Sequence, residues 1–69
     1  MPKPRIDQKR ANTLKRRVTK ISVLKGGITR LINGSEVYPH TIYRALKGKQ
    51  IEIEKADKIE AFLTKSGIK

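Results

Sequence analysis

Apolar residues recur at steps of three and four along most of this chain, and this spacing constrains its fold more than any other feature. A first stripe consists of Ala11, Leu14, Val18, Ile21 and Leu24. Another consists of Ala56, Ile59, Phe62 and Leu63. Such spacing places apolar side chains on one face of a helix. With 69 residues and no cysteine, the chain is expected to form one small domain without disulfides. The pattern therefore predicts an all-α fold, a compact domain of four to five helices.

Prolines and polar residues at the start of the chain predict an extended segment. Residues 1–6 contain two prolines, which restrict the backbone and remove hydrogen-bond donors. Residues 1–10 are predicted to be a flexible basic arm, and residues 11–69 to be the folded domain. Asp7 or Asn12 is expected to cap the first helix. Gly26 and Gly27 are expected to end it.

The later helices are bounded by turn residues and a proline. Residues 28–33 predict one to two helical turns, followed by a turn signal at Asn33-Gly34. Pro39 suits the first turn of a third helix, predicted for residues 39–47 and ended by Gly48. Residues 49–53 alternate between polar and apolar side chains, so a short strand and a loop are both possible predictions for this segment. A fourth helix is predicted for residues 53–65.

The charge of the chain points to a polyanionic partner. Seventeen Lys and Arg residues face six acids, and the net charge is +11. Residues 1–25 carry nine basic residues and one acid, whereas residues 51–69 carry four of each sign. Nucleic acid is the leading candidate. An anionic membrane surface ranks lower, because the apolar residues are needed for a core. No apolar run reaches the ~20 residues of a membrane span, and no secretory signal is recognised, so we expect a cytoplasmic, nucleoid-associated protein.

Residues 37–48, with the sequence VYPHTIYRALKG, form the segment richest in functional signals. On a helix, one side carries Ile42, Ala45 and Leu46, and the opposite side carries His40, Tyr43, Arg44 and Lys47. A helix of this kind can dock on a core and present cationic and aromatic groups to the DNA major groove. The same face also fits an ordinary solvated helix. The charge of the whole chain favours the functional interpretation.

This segment resembles the recognition-helix region of the Cro and C-type phage repressors, the lambda-repressor-like helix-turn-helix family. The matching residues are Val37 in the turn, Thr41, Ile42 and Arg44 in the helix, and Leu46, Lys47 and Gly48 at its end. The match covers residues 27–48 well and the rest of the chain by helix order alone. The resemblance implies a sequence-specific double-stranded DNA-binding protein, a transcriptional regulator of the repressor kind, acting as a homodimer on an operator.

One position departs from the family pattern. Family members usually carry a glycine directly before the residue that matches Val37, whereas this chain has Glu36 there and a glycine at Gly34. A gapless match would put Gly34 inside the second helix, at a cost of ~1 kcal/mol. Alternatively, the second helix ends at Asn33 and the turn is longer. The longer turn is the prediction.

The predicted contacts fall into three groups. Base contacts are expected from Tyr38, His40, Thr41, Tyr43, Arg44 and Lys47. Phosphate contacts are expected from Lys25, Arg30, Lys49, Gln50, Arg16 and Arg17. Lys3 and Arg5 are predicted to enter the minor groove as parts of the arm. The wider basic stretch over residues 9–20 fits either phosphate contacts or the solvated side of the first helix.

Enzymatic function is not expected. His40 is the only histidine and there is no cysteine, so neither a metal site nor an acid–base pair is recognisable, and no cofactor or small-molecule substrate is predicted. The alternatives that remain are a basic RNA-binding or ribosome-associated protein, a DNA-bending architectural protein similar to excisionases, and an antitoxin-like interaction module. Four apolar residues near the C-terminus are candidates for the core first and for a dimer patch second: Ile51, Ile53, Phe62 and Leu63.

Overall fold

The structure, a computed structural model, describes residues 3–68 and contains four α-helices in that range. Helix α1 spans Gln8–Ser22, α2 spans Gly27–Ser35, α3 spans Pro39–Leu46 and α4 spans Ile53–Lys65. Within these residues no strand forms, and one isolated antiparallel bridge pairs Arg5 with Glu52. The predicted all-α class is confirmed with four helices. The third and fourth helices agree with their predicted bounds to within one residue.

The core is a single cluster of aliphatic side chains. All four helices contribute to it, and so do the segments that precede α1, α3 and α4. Its buried members are Ile6, Ala11, Leu14, Val18, Ile21, Leu31, Val37, Ile42, Ala45, Ile51, Ala56, Ile59 and Leu63. Phe62 and Ile53 are only partly buried at its edge. Leu24 does not belong to it and is 54% exposed. The prediction for Leu24 was wrong because α1 ends at Ser22, where the chain leaves the helix axis.

The N-terminal segment is ordered against the domain, so the predicted flexible arm over residues 1–10 is wrong from Pro4 onward. Asp7 caps α1 by accepting a hydrogen bond from the Arg10 amide at 2.7 Å, and residues 8–10 form its first turn. Ile6 is buried and donates its amide to the carbonyl of Ile51 at 2.9 Å. One apolar side chain and one capping carboxylate therefore fix a segment that its charge and prolines marked as mobile. Residues 1 and 2 lie outside the described range.

Helix α2 runs past the predicted turn, and the longer turn was the wrong choice. Gly34 lies inside α2, which ends at Ser35. A Cβ added to Gly34 would lie 2.1 Å from Cε2 of Phe62, so the missing side chain is what lets the aromatic ring of α4 pack there. The close approach between α2 and α4 offsets the low helix propensity of glycine.

Two arginines of α1 attach it to α4. Arg10 donates from Nη2 to Asp57 Oδ1 at 2.6 Å and to Glu60 Oε1 at 2.9 Å, and from Nε to Glu60 Oε2 at 3.0 Å. Hydrogen bonds to Glu60 and then Asp57 raise the pKa of Arg10 above its ordinary value. Arg17 donates to the Thr64 hydroxyl and to the carbonyl of Ile68, at 3.1 and 2.8 Å.

This arrangement changes the interpretation of the basic stretch on α1. Arg17 points toward the C-terminal end of α4, which does not fit the phosphate contact expected for it. Arg10 belongs to the fold in the same way. Lys9, Lys15 and Arg16 are exposed and remain on the solvent side of the helix.

Replacing Arg10 with alanine is expected to lower the free energy of unfolding by about 1–3 kcal/mol, the usual range for hydrogen bonds to charged groups. The change also leaves two carboxylates of α4 without their cation. Because the folded-state pKa of Arg10 is raised, the guanidinium stays charged through neutral pH, and on the alkaline side its contribution declines only in strong alkali. Urea unfolding measures the effect. Lys9→Ala, at an exposed neighbouring position, is the control, and equal midpoints for the two variants would contradict the role of Arg10.

Candidate nucleic-acid interface

Helix α3 has the two opposite faces that the sequence predicts. Ile42 and Ala45 are buried, with 0% and 1% of their surface exposed. On the other side, four side chains are exposed to solvent: His40, Tyr43, Arg44 and Lys47. Lys47 is the C-terminal cap rather than a residue of the last turn. The outward side of α3 is therefore cationic and aromatic, without an acidic residue.

The turn between α2 and α3 comprises residues 36–38 and fixes the entry of α3. Glu36 has φ 57° and ψ 34°, the left-handed region, and is the only non-glycine residue with positive φ in the described range. Val37 is buried in the core. Tyr38 is extended, and its carbonyl accepts the amides of Thr41 and Ile42 at 3.0 and 3.3 Å. With Pro39 as the first helical residue, the start of α3 is tightly defined.

The end of α3 is fixed by a glycine in the left-handed conformation. Gly48 has φ 77° and donates its amide to the carbonyl of Ala45, and Lys49 donates its amide to the carbonyl of Arg44, both at 3.0 Å. These two bonds form a Schellman motif. Gln8 of α1 also donates its side-chain amide to the carbonyl of Gly48 at 3.0 Å. The motif places the following residues, Lys49 and Gln50, beside the outward face of α3.

Two open grooves flank this face. The first, about 310 Å³, is lined by Lys3, Arg5, Tyr38, His40, Thr41, Arg44, Gln50, Ile51, Glu52 and Lys55. The second, about 520 Å³, is lined by Arg5, Gln8, Arg44, Gly48, Lys49 and Gln50. Arg5, Arg44 and Gln50 line both, so the two grooves are adjacent. We define the cationic face as the exposed side of α3 together with these two grooves.

Aromatic rings stand at the start of α3. The rings of Tyr38 and His40 are stacked with centroids 5.8 Å apart and an interplanar angle of 12°. Tyr38 is 69% exposed. The pair forms a small accessible platform beside the first groove.

The structure brings together most of the predicted base contacts but separates several predicted phosphate contacts. Tyr38, His40, Thr41 and Arg44 line one groove with Gln50. Three other expected phosphate contacts, all exposed, line neither groove: Arg16 on α1, Lys25 in the loop before α2, and Arg30 on α2.

The predicted minor-groove role of Lys3 and Arg5 does not fit their positions. The backbone of Arg5 forms the isolated antiparallel bridge with Glu52, and its side chain lines the groove next to α3. Lys3 Nζ lies 4.0 Å from Glu52 Oε2 and 3.9 Å from Glu54 Oε2. Both residues belong to a segment held on the domain, whereas a minor-groove arm has to extend away from it.

Sequence reasoning missed three residues at this site. Gln8, Glu52 and Lys55 line the grooves but were not among the predicted contacts, and Gln8 was assigned to the flexible arm. The polar–apolar alternation of residues 49–53 was the available signal, because it is compatible with an extended segment that could pair with another. The partner of that extended segment, residues 4–6, carries no strand signal of its own.

The site shows no features of a metal centre. No group of three or more His, Cys, Asp or Glu residues between positions 3 and 68 is arranged to hold a metal ion. In the same range no helix combines the length and apolar character needed to cross a bilayer. Comparisons with protein-family models, with curated proteins and with solved structures gave no match.

Replacing Glu36 with glycine is expected to raise the free energy of unfolding by roughly 0 to 1.6 kcal/mol. A side chain in the left-handed region costs roughly 1–2 kcal/mol, and the greater freedom of glycine in the unfolded chain offsets about 0.4–1 kcal/mol of the gain. Urea unfolding is the measurement. Glu36→Gln removes the charge but keeps the Cβ atom, so it serves as the control. An equal gain in both variants would assign the effect to charge and not to backbone conformation.

Proposed function

We propose that this chain is a sequence-specific double-stranded DNA-binding protein in which α2, residues 36–38 and α3 form a helix-turn-helix. The orientation of α3 carries the proposal: Ile42 and Ala45 are buried, while Arg44 and its cationic neighbours are exposed. The major groove of B-DNA admits one α-helix whose outer side chains reach base edges. The protein is accordingly a binding protein and not an enzyme.

The turn geometry supports the resemblance to Cro and C-type phage repressors. The one position where this chain departs from the family pattern is Glu36, where family members usually have glycine. Glu36 adopts the left-handed conformation that glycine favours. Because α2 continues to Ser35, the match through the turn needs no gap. A transcriptional regulator of the repressor kind, associated with the nucleoid in the cytoplasm, is the function this resemblance supports.

Distinct roles follow from position on the cationic face. Arg44 is suited to pair with O6 and N7 of guanine, and His40 and Thr41 lie near the helix start, where base contacts concentrate. Tyr38, Tyr43 and Lys47 extend this set along the outer side of α3. Lys49 and Gln50, beyond the Schellman motif, hold phosphates at the helix end, where amides and basic groups commonly bind the backbone of DNA.

A homodimer on an inverted repeat completes the proposal. Two-fold dimers place their recognition helices one helical turn apart on DNA. An open groove of about 530 Å³ between the end of α2 and α4 contains the half-buried ring of Phe62, with Glu36, Lys58 and Lys65 around it. This groove offers a second copy apolar surface and charges of both signs.

Arg44→Ala is expected to weaken binding to the selected operator by about 1–3 kcal/mol and to relax the base preference at one position. Selection of bound sequences from random duplex DNA identifies the operator, and equilibrium titration then compares operator with random duplex. Arg16→Ala removes the same charge from the solvent side of α1 and is the control. Equal losses on operator and random duplex for Arg44→Ala would make Arg44 a phosphate contact only and would contradict the proposal.

A second candidate function is single-stranded RNA binding, and the stacked rings of Tyr38 and His40 are the observation in its favour. Exposed aromatic rings stack on unpaired bases, which is the common basis of RNA recognition. Competition between duplex DNA and a single-stranded RNA at fixed salt separates the two functions. If RNA is the physiological ligand, the double variant Tyr38→Ala/His40→Ala should lose RNA binding more strongly than duplex DNA binding, because the two rings then stack on unpaired bases. We expect duplex DNA to compete better.

A further inference from the structure

Residues 4–6 and 51–53 form a minimal antiparallel ribbon beside α3. The Ile6 amide donates to the carbonyl of Ile51 at 2.9 Å, and the Ile53 amide donates to the carbonyl of Pro4 at 3.0 Å. Arg5 and Glu52 face each other between these two bonds, and their own backbone groups are not hydrogen-bonded to each other. In such a pair the Cα atoms lie only about 4.5 Å apart. The two side chains project from the same side of the ribbon, because facing residues of paired strands do so.

The ribbon is anchored to the folded domain. Ile6 and Ile51 are 2% and 4% exposed and belong to the core. Asp7 continues directly into the cap of α1, and Ile53 begins α4. Arg5 is therefore followed by a buried residue and a helix cap, and Glu52 lies between a buried residue and the first residue of α4, so the fold sets their backbone positions.

The ribbon pair shares a groove with α3. Arg5 and Glu52 line the first groove together with His40, Thr41 and Arg44. A ligand that enters this groove along α3 meets the ribbon side chains at the same time. The major groove of B-DNA accommodates a two-stranded ribbon as well as a helix.

Glu52 is the unexpected member of the cationic face. Its Oε2 atom is buried without a hydrogen-bond partner among residues 3–68, and Lys3 Nζ, at 4.0 Å, is too far away to donate to it. The side chain as a whole is 37% exposed. The buried Oε2 atom is itself out of reach of a ligand, so contact has to come through the exposed part of the side chain. A carboxylate here opposes the approach of phosphates but accepts hydrogen bonds from amino groups. Of the base edges in the major groove, the N4 amino group of cytosine is the typical partner of a carboxylate.

We infer that the ribbon reads one G·C base pair next to the bases read by α3. Arg5 donates to O6 and N7 of guanine, and Glu52 accepts from N4 of the cytosine paired with it. The inference rests on the proposed DNA-binding function and adds a second reading element outside the helix-turn-helix. It assigns base specificity to the ribbon, residues 4–6 and 51–53, whose net charge is zero.

Selection from random duplex DNA tests this inference with the full chain and three variants. Glu52→Gln removes the acceptor charge, and Arg5→Lys keeps the charge but loses the bidentate geometry. Glu54→Gln is the matched control, because Glu54 also lies near Lys3, at 3.9 Å, but does not line the first groove. Helical circular dichroism and the urea midpoint show that each variant is folded.

The expected result is a G·C preference at one position that both ribbon variants reduce by about 5- to 150-fold, the range for one lost base contact. Glu54→Gln leaves it unchanged. A uniform rise in affinity for all sequences in Glu52→Gln would make Glu52 a repulsive charge only and overturn the inference. Loss of the preference in Arg5→Lys alone would overturn the pairing of the two residues.

The same selection separates this inference from the proposed function. A motif that responds to Arg44→Ala but to neither ribbon variant would sustain the helix-turn-helix function and overturn the ribbon. The absence of any selected motif in the unaltered chain would overturn both.

Discussion

The burial of Ile42 and Ala45 is the interaction on which the cationic face depends. Helix α3 has only eight residues, too few for a helix to be stable alone in water. Its stability and its rotation about its own axis therefore come from the core, where these two side chains are almost wholly buried. With that side fixed inward, Tyr43, Arg44 and Lys47 have to face outward. The core thus determines which side chains any ligand meets.

A chain with a net charge of +11 must also limit repulsion among its own cations. The structure does so by pairing α1 with the acidic side of α4. Asp57 and Glu60 bind Arg10, and the C-terminal end of α4 accepts hydrogen bonds from Arg17. The neutral last segment is therefore not inert scaffolding, because it supplies counter-charge to the most basic helix. Among residues 3–68, the cations without such a partner include Arg44 of α3 and Lys47 at its end.

The sequence predicted the parts of the fold that depend on local patterns. The stripe on α4, the proline at the start of α3 and the glycine at its end each act within a few residues, and both helices were predicted nearly to the residue. The same periodicity predicted the two faces of α3. It also predicted most of the α3 residues that line the first groove.

The failures lie where one residue depends on a distant one. Ile6 stands alone among prolines and charges, and its burial becomes visible only when Ile51 is placed against it. Gly34 predicts a turn when only its neighbours in sequence are considered. Its place inside α2 depends on the ring of Phe62, which lies on another helix and needs the space. Glu36 gives no local sign that it will adopt a left-handed conformation. In each case tertiary packing outweighs the local preference of the backbone.

The ordered N-terminal segment changes how binding energy is divided between folding and recognition. A flexible arm loses roughly 1–2 kcal/mol of backbone conformational entropy for each residue that becomes fixed on DNA. Here residues 4–6 are already fixed by two hydrogen bonds and the burial of Ile6, so Arg5 reaches a ligand without that loss. The entropy is lost during folding instead, in a domain small enough to be only marginally stable. In the proposed DNA complex, base recognition by Arg5 and stability of the core are therefore coupled through the contact between Ile6 and Ile51, so a change that loosens this contact is expected to weaken both.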